Sequence, residues 1–107
     1  MSDDTRRYSP ARIVARVTDC AGVGRHDLLA GGHVRSSALN ARAAVRVLLA
    51  DHATDAPVPA DVKKSLWPSR PKAKGAAMRS ARALYRERPV VRDICAATLS
   101  KLARATT

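Results

Sequence analysis

Apolar residues recur along this chain at intervals of three and four, the period of an α-helix, in segments punctuated by Pro and Gly. Ser9-Pro10 forms a helix start, with Ser as N-cap and Pro at the first helical position. Ile13, Val14, Val17 and Ala21 follow at helical spacing, and Gly22 can close that helix in a left-handed conformation. A short helix is expected through Asp27-Leu28-Leu29, ended by Gly31-Gly32. The strongest periodic segment runs from Ser36 or Ser37 to about His52; Ala41, Ala44, Val45, Leu48 and His52 share one face, with Arg35, Arg42 and Arg46 largely off it. Pro59-Ala60-Asp61 opens a short helix with Val62 and Leu66 inward, which Pro68 and Pro71 stop. From near Lys72 to about Glu87 the apolar side is Met78, Ala81, Leu84 and Tyr85; Pro89 then starts a last helix carrying Val91, Ile94, Cys95, Thr98 and Leu102. Neither strand-like alternation nor an internal repeat appears. The expectation is one all-α domain of five or six helices over residues 9–107, preceded by a flexible arm at 1–8.

Composition refines this picture. Hydrophobic residues make up 46% of the 107 residues, but there is no Phe, one Trp and two Tyr, so the core is built from Ala, Val and Leu. Small side chains allow close helix approach, and Ala is the best helix former. Lys and Arg number 20 against 9 acids. Nine of the cations (Lys63, Lys64, Arg70, Lys72, Lys74, Arg79, Arg82, Arg86, Arg88) fall between Lys63 and Arg88, where Glu87 is the one acid. Such a positive field on a helix–break–helix outline is the footprint of a protein that grips a phosphate backbone.

Other chemistry finds little footing. The acids are scattered and no nucleophile–base set can be assembled, so an enzyme is not expected. Cys20 and Cys95 stand alone, without metal-ligand spacing, and read as small core residues; no metal or cofactor is implied. No signal-peptide pattern and no apolar run near the ~20 residues of a membrane span appear, so the expected location is the cytoplasm, on the nucleoid.

The order Ile13-Val14-x-x-Val17, Val23-Gly24-x-x-Asp27-Leu28-Leu29, Arg35, Ala41-Arg42-x-Ala44-Val45-x-x-Leu48-Leu49 resembles the C-terminal DNA-binding domain of the bacterial replication initiator DnaA. Pro59-x-Asp61-Val62 is similar to that family's L-P-E-I-G helix opening, and Arg88-Pro89-x-x-Arg92-Asp93 to its D-P-x-x-R-E junction. The resemblance runs from about residue 9 to 102. It implies a helix–turn–helix of the Trp-repressor-like group and duplex DNA as partner. The family signature G-G-R-D-H-S-T-V-x-H-A is replaced here by Pro68-Ser69-Arg70-Pro71-Lys72-Ala73-Lys74-Gly75-Ala76-Ala77-Met78, in which Arg70 alone corresponds, so the target sequence does not carry over. No phosphate-binding loop is present, and the chain reads as a stand-alone DNA-binding module rather than an initiator.

In such a motif the second helix enters the major groove with its N-terminal end toward base edges. Arg70, Lys72, Ala73 and Lys74, with Ala76, are the candidates there; Arg or Lys can bond guanine O6 and N7, and Ala can meet a thymine methyl. Lys63, Lys64, Arg35 and Arg79 or Arg82 are candidate phosphate contacts, along with the helix start at Ser36-Ser37. Arg42 resembles the family's A-R arginine and is expected to touch the backbone or brace the core. Arg12, Arg16, Arg46 and Arg104 read as solvated, Trp67 as packed on the core, and His26, His33 and His52 as turn or core-edge residues. Arg6 and Arg7 belong to the arm. A sequence-specific transcription regulator, monomeric or homodimeric, with no membrane or small-molecule partner, is the leading expectation. The alternatives are a nonspecific nucleoid or RNA-binding protein and a protein-interaction module derived from a DNA-binding domain.

Overall fold

A computed structural model describes residues 6–30 and 35–105, and among them finds six helices and no strand. They are α1 (Pro10–Ala21), α2 (Arg25–Leu29), α3 (Ser36–His52), α4 (Ala60–Leu66), α5 (Pro71–Glu87) and α6 (Pro89–Ala105). Local chemistry sets most of these ends. Ser9 Oγ accepts the Arg12 N–H at 3.4 Å with Pro10 at the first helical position, and Gly22, at φ +65°, closes α1 by donating its N–H to the Thr18 carbonyl. Pro71 occupies the first turn of α5, one residue earlier than expected, where its missing N–H costs nothing. Gly31, Gly32 and His33 lie outside the described residues.

Helix α3 is the axle, packed by α1, α2, α5 and α6. Ala41, Ala44, Val45 and Leu48 are buried as expected, but so are Ala38, Ala43, Val47 and Leu49. The one-sided reading of this helix was therefore too narrow: a helix apolar nearly all round is a core helix. Helix α6 lays Val91, Ile94, Cys95, Thr98 and Leu102 against α1 and α3, the set its periodicity gives.

Burial, and secondarily the charge of Asp51, push the Cys95 thiol up to about 12. Native protein at pH 8 is expected to leave Cys95 unmodified by a maleimide, whereas urea-unfolded protein is labelled at both cysteines, read by mass spectrometry. An unfolded thiol titrates near ~8.5. Because the folded value is higher, Cys95 lowers stability as pH rises from the unfolded value toward the folded one.

The expectation of a flexible arm is corrected where it meets the domain. Tyr8 is buried; its N–H donates to the His52 carbonyl at 2.8 Å, and its carbonyl accepts the Thr54 N–H at 3.0 Å. Arg7 reaches the carbonyls of Asp51 and Ala53, so residues 6–8 are pinned to the end of α3. Residues 1–5 of that arm lie outside the described residues.

Candidate nucleic-acid interface

Helices α4 and α5 are joined by residues 67–70 and are held in place from below by arginines. At the start of α4, Arg25 donates two hydrogen bonds to the Asp61 carboxylate, at 2.9 and 3.0 Å. The Arg25 hydrogen bond is the main reason the Asp61 carboxyl sits below the usual carboxylate range. At the other end, Arg46 Nε donates to the Leu66 carbonyl at 2.9 Å, while Val62 and Leu66 anchor the inner side in the core. Arg42, one turn earlier on α3, does the same for α2 through the carbonyls of Leu28 and Ala30. Arg92 closes α5 through the carbonyls of Tyr85 and Arg86, both at 2.7 Å.

The guanidiniums of Arg42, Arg46 and Arg92 each meet the partial negative charge and orphan carbonyls of a helix C-terminus. Hydrogen bonds of this charged type contribute roughly 1.5–3 kcal/mol. Arg46 is thus corrected from solvated to part-buried; desolvation first, and the nearby Arg42 charge second, lower its guanidinium from its ordinary value. For Arg42 the brace is the role the geometry gives. For Arg46 no local signal was present in the sequence, because the carbonyl it reaches lies 20 residues away.

With those cations accounted for, the remaining charge concentrates on α4 and the start of α5. Lys63, Lys64, Arg70, Lys72 and Arg79 are exposed and make no ion pair among the described residues. Pro71, Lys72, Ala73, Ala76, Arg79 and Ser80 are the exposed positions of the first three turns of α5, while Ala81 is its buried anchor. Arg79 folds back along the helix, its Nη1 3.5 Å from where a Cβ on Gly75 would lie. That separation is ordinary van der Waals contact, so Gly75→Ala is expected to stabilise the protein by about 0.5–1 kcal/mol through helix propensity, read by urea denaturation.

Three candidates sit apart from this group. Lys74 is turned off the exposed face, its Nζ 4.6 Å from the centre of the Trp67 ring, a cation–π contact of about 0.5–1 kcal/mol at such a site. Trp67 itself is part-buried and packed against the core, as expected. Arg82 donates to Asp51 of α3 at 2.8 and 3.2 Å; that hydrogen bond is the leading cause of the lowered Asp51 carboxyl and the raised Arg82 guanidinium. Arg35 is exposed at the other end of α3, beside a depression lined by Val23, Asp27 and Ser37. At 1.5 Å per residue it stands roughly 24 Å along that helix from Asp51, the partner of Arg82.

Among the described residues no cluster of His, Cys, Asp and Glu could hold a metal ion, and no helix is long and apolar enough to cross a membrane. His26 is exposed on α2, and His52 Nδ1 lies 3.4 Å from the Arg6 carbonyl. No protein-family model, curated protein or solved structure matches this chain.

Proposed function

We propose that this protein binds double-stranded DNA through the α4–α5 face, with the start of α5 in the major groove, and acts as a sequence-specific regulator of transcription on the nucleoid. One observation carries the reading. Elsewhere in the molecule the arginines are largely committed to carbonyls and carboxylates, whereas Lys63, Lys64, Arg70, Lys72 and Arg79 are left exposed and unneutralised on one helix–connection–helix unit. Concentrated positive charge of this kind attracts a polyanion and makes the binding salt-dependent.

The α5 surface suits a groove. Small residues, Ala73 and Ala76, separate Lys72 from Arg79, and Ser80 follows, so a helix bearing two long cations can lie close to base edges. The likeness of the residue order to the DnaA C-terminal domain supports duplex DNA as the partner and is part of the same proposal. Selection from a random duplex library is the test. Enrichment of a short motif, with guanine opposite Lys72 or Arg79, is the expected outcome. Duplex binding without enrichment would reduce the function to backbone gripping, favoured by the absence of the Asp-His-Ser-Thr group. Tighter binding to single strands would contradict the proposal.

A further inference from the structure

Between α4, the residues that follow it and the first turns of α5 lies an open groove lined by Lys63, Trp67, Ser69 and Lys74, with Pro57 and Val58 as apolar walls. Lys63 comes from the first helix of the pair and Lys74 from the second, and no carboxylate is in the lining. Asp61, the acid nearest to Lys63 in sequence, has its carboxylate held by Arg25. Two ammonium groups on one concave surface repel each other until an anion sits between them. The Trp67 ring meanwhile fixes where the Lys74 ammonium points, away from the face that Lys72, Ala73 and Ala76 expose.

We infer that this groove is a seat for a single phosphate group, clamped by Lys63 and Lys74 from either side, with the Ser69 hydroxyl as a further donor. For its partner the inference rests on the duplex-binding proposal: the seat takes a backbone phosphodiester flanking the groove that α5 enters. Lys74 thereby becomes a phosphate contact that sets register, not a base reader, which reverses the role its place at the start of α5 suggested. The position agrees with the way the first helix of such a motif crosses the sugar–phosphate backbone. Each ammonium carries three rotatable donors, so Lys74 can bond a phosphate oxygen without leaving the indole.

Trp67 is the one tryptophan of the chain, so its emission reports the seat directly. Wild-type protein, Lys63→Met, Lys74→Met, the double variant and Lys74→Arg are titrated with a random-sequence duplex over a range of salt. A shared phosphate predicts that each Met variant and the double flatten the dependence of log K on log salt by no more than ~0.9 in all, the value for one phosphate. It also predicts a Trp67 response to duplex that Lys74→Met loses and Lys74→Arg keeps. A parallel titration uses pyrophosphate against chloride at equal ionic strength. A Trp67 response there, lost in Lys74→Met, shows that the seat also accepts free phosphate; a response to duplex alone assigns it to the DNA backbone.

Slope losses that add to ~1.8 in the double variant overturn the shared seat, because two phosphates are then involved. So does a Trp67 signal indifferent to both phosphates, or an altered base preference in Lys74→Met. If the wild type binds no duplex even at low salt, the DNA proposal fails by itself. The pyrophosphate titration then decides the seat: a response that depends on Lys74 sustains it, and silence removes it.

Discussion

Tyr8→Ala is expected to destabilise the domain by about 3 kcal/mol, the lower part of the range for emptying a large aromatic site. The ring is 5% exposed and belongs to the main hydrophobic cluster, although it precedes the first helix. For a domain of this size that loss lowers the thermal midpoint by roughly 12–20 °C, measured by calorimetry or circular dichroism. The two backbone hydrogen bonds, to His52 and from Thr54, do not involve the side chain and are not removed outright. Once the ring is gone, however, little holds the segment against α3, and the Arg7 contacts to Asp51 and Ala53 should loosen with it. Tyr8→Phe is the control. The hydroxyl has no partner among the described residues, so Phe is expected within about 0.5 kcal/mol of wild type. A Tyr8→Ala protein as stable as wild type would mean that the segment is not part of the core.

Replacing Lys63, Lys64, Lys72 and Arg79 together by Gln should have the opposite profile, leaving the fold intact and abolishing most DNA affinity. All four are exposed and none makes an ion pair among the described residues, so each change is expected within about 0.5 kcal/mol in stability. Relief of repulsion in a chain of net charge +11 acts in the stabilising direction. For duplex binding, four contacts at about 1 kcal/mol each amount to a loss on the order of 1,000-fold near physiological salt. The dependence of log K on log salt should flatten by roughly 0.9 for each of them that neutralises a phosphate. A comparison variant that changes three cations elsewhere, Arg12, Arg16 and Lys101 of α1 and α6, all exposed or partly exposed, is expected to bind almost as wild type. Equal losses per charge removed in the two variants would mean that net charge, and no particular face, attracts the DNA.

The parts of this architecture that were legible in the sequence are those written in local chemistry. Ser9-Pro10, Gly22, Pro59, Pro71 and Pro89 punctuate the chain by rules that act over a few residues, and the helices start and stop at or beside them. The inner face of α6 was legible for the same reason, since one apolar stripe meets one neighbouring surface. Helix α3 was legible only in part. Its Ala-rich back reads as neutral in a periodicity argument, yet it is buried because four helices surround it.

What the sequence did not disclose depends on pairings across the chain. Tyr8 meets Ala53, Arg46 meets Leu66 and Arg82 meets Asp51, separations that no local pattern encodes. For the candidate interface this matters directly. Arginines and lysines look alike in a charge count, and tertiary structure decides which are committed internally. Arg42, Arg46, Arg82 and Arg92 are so committed, while Lys63, Lys64, Arg70, Lys72 and Arg79 remain outward. The density of charge was visible from the start; its sorting was not.

The most direct measurement is a chemical-shift map of the 11.5 kDa protein titrated with a short duplex, followed amide by amide. Binding through α4 and the start of α5 should move resonances between residues 60 and 80 together, with the Trp67 indole N–H among them, and leave those of α1 and α6 nearly still. A map centred on α1 or α6, or no change at low salt, would contradict the assignment of this face to DNA.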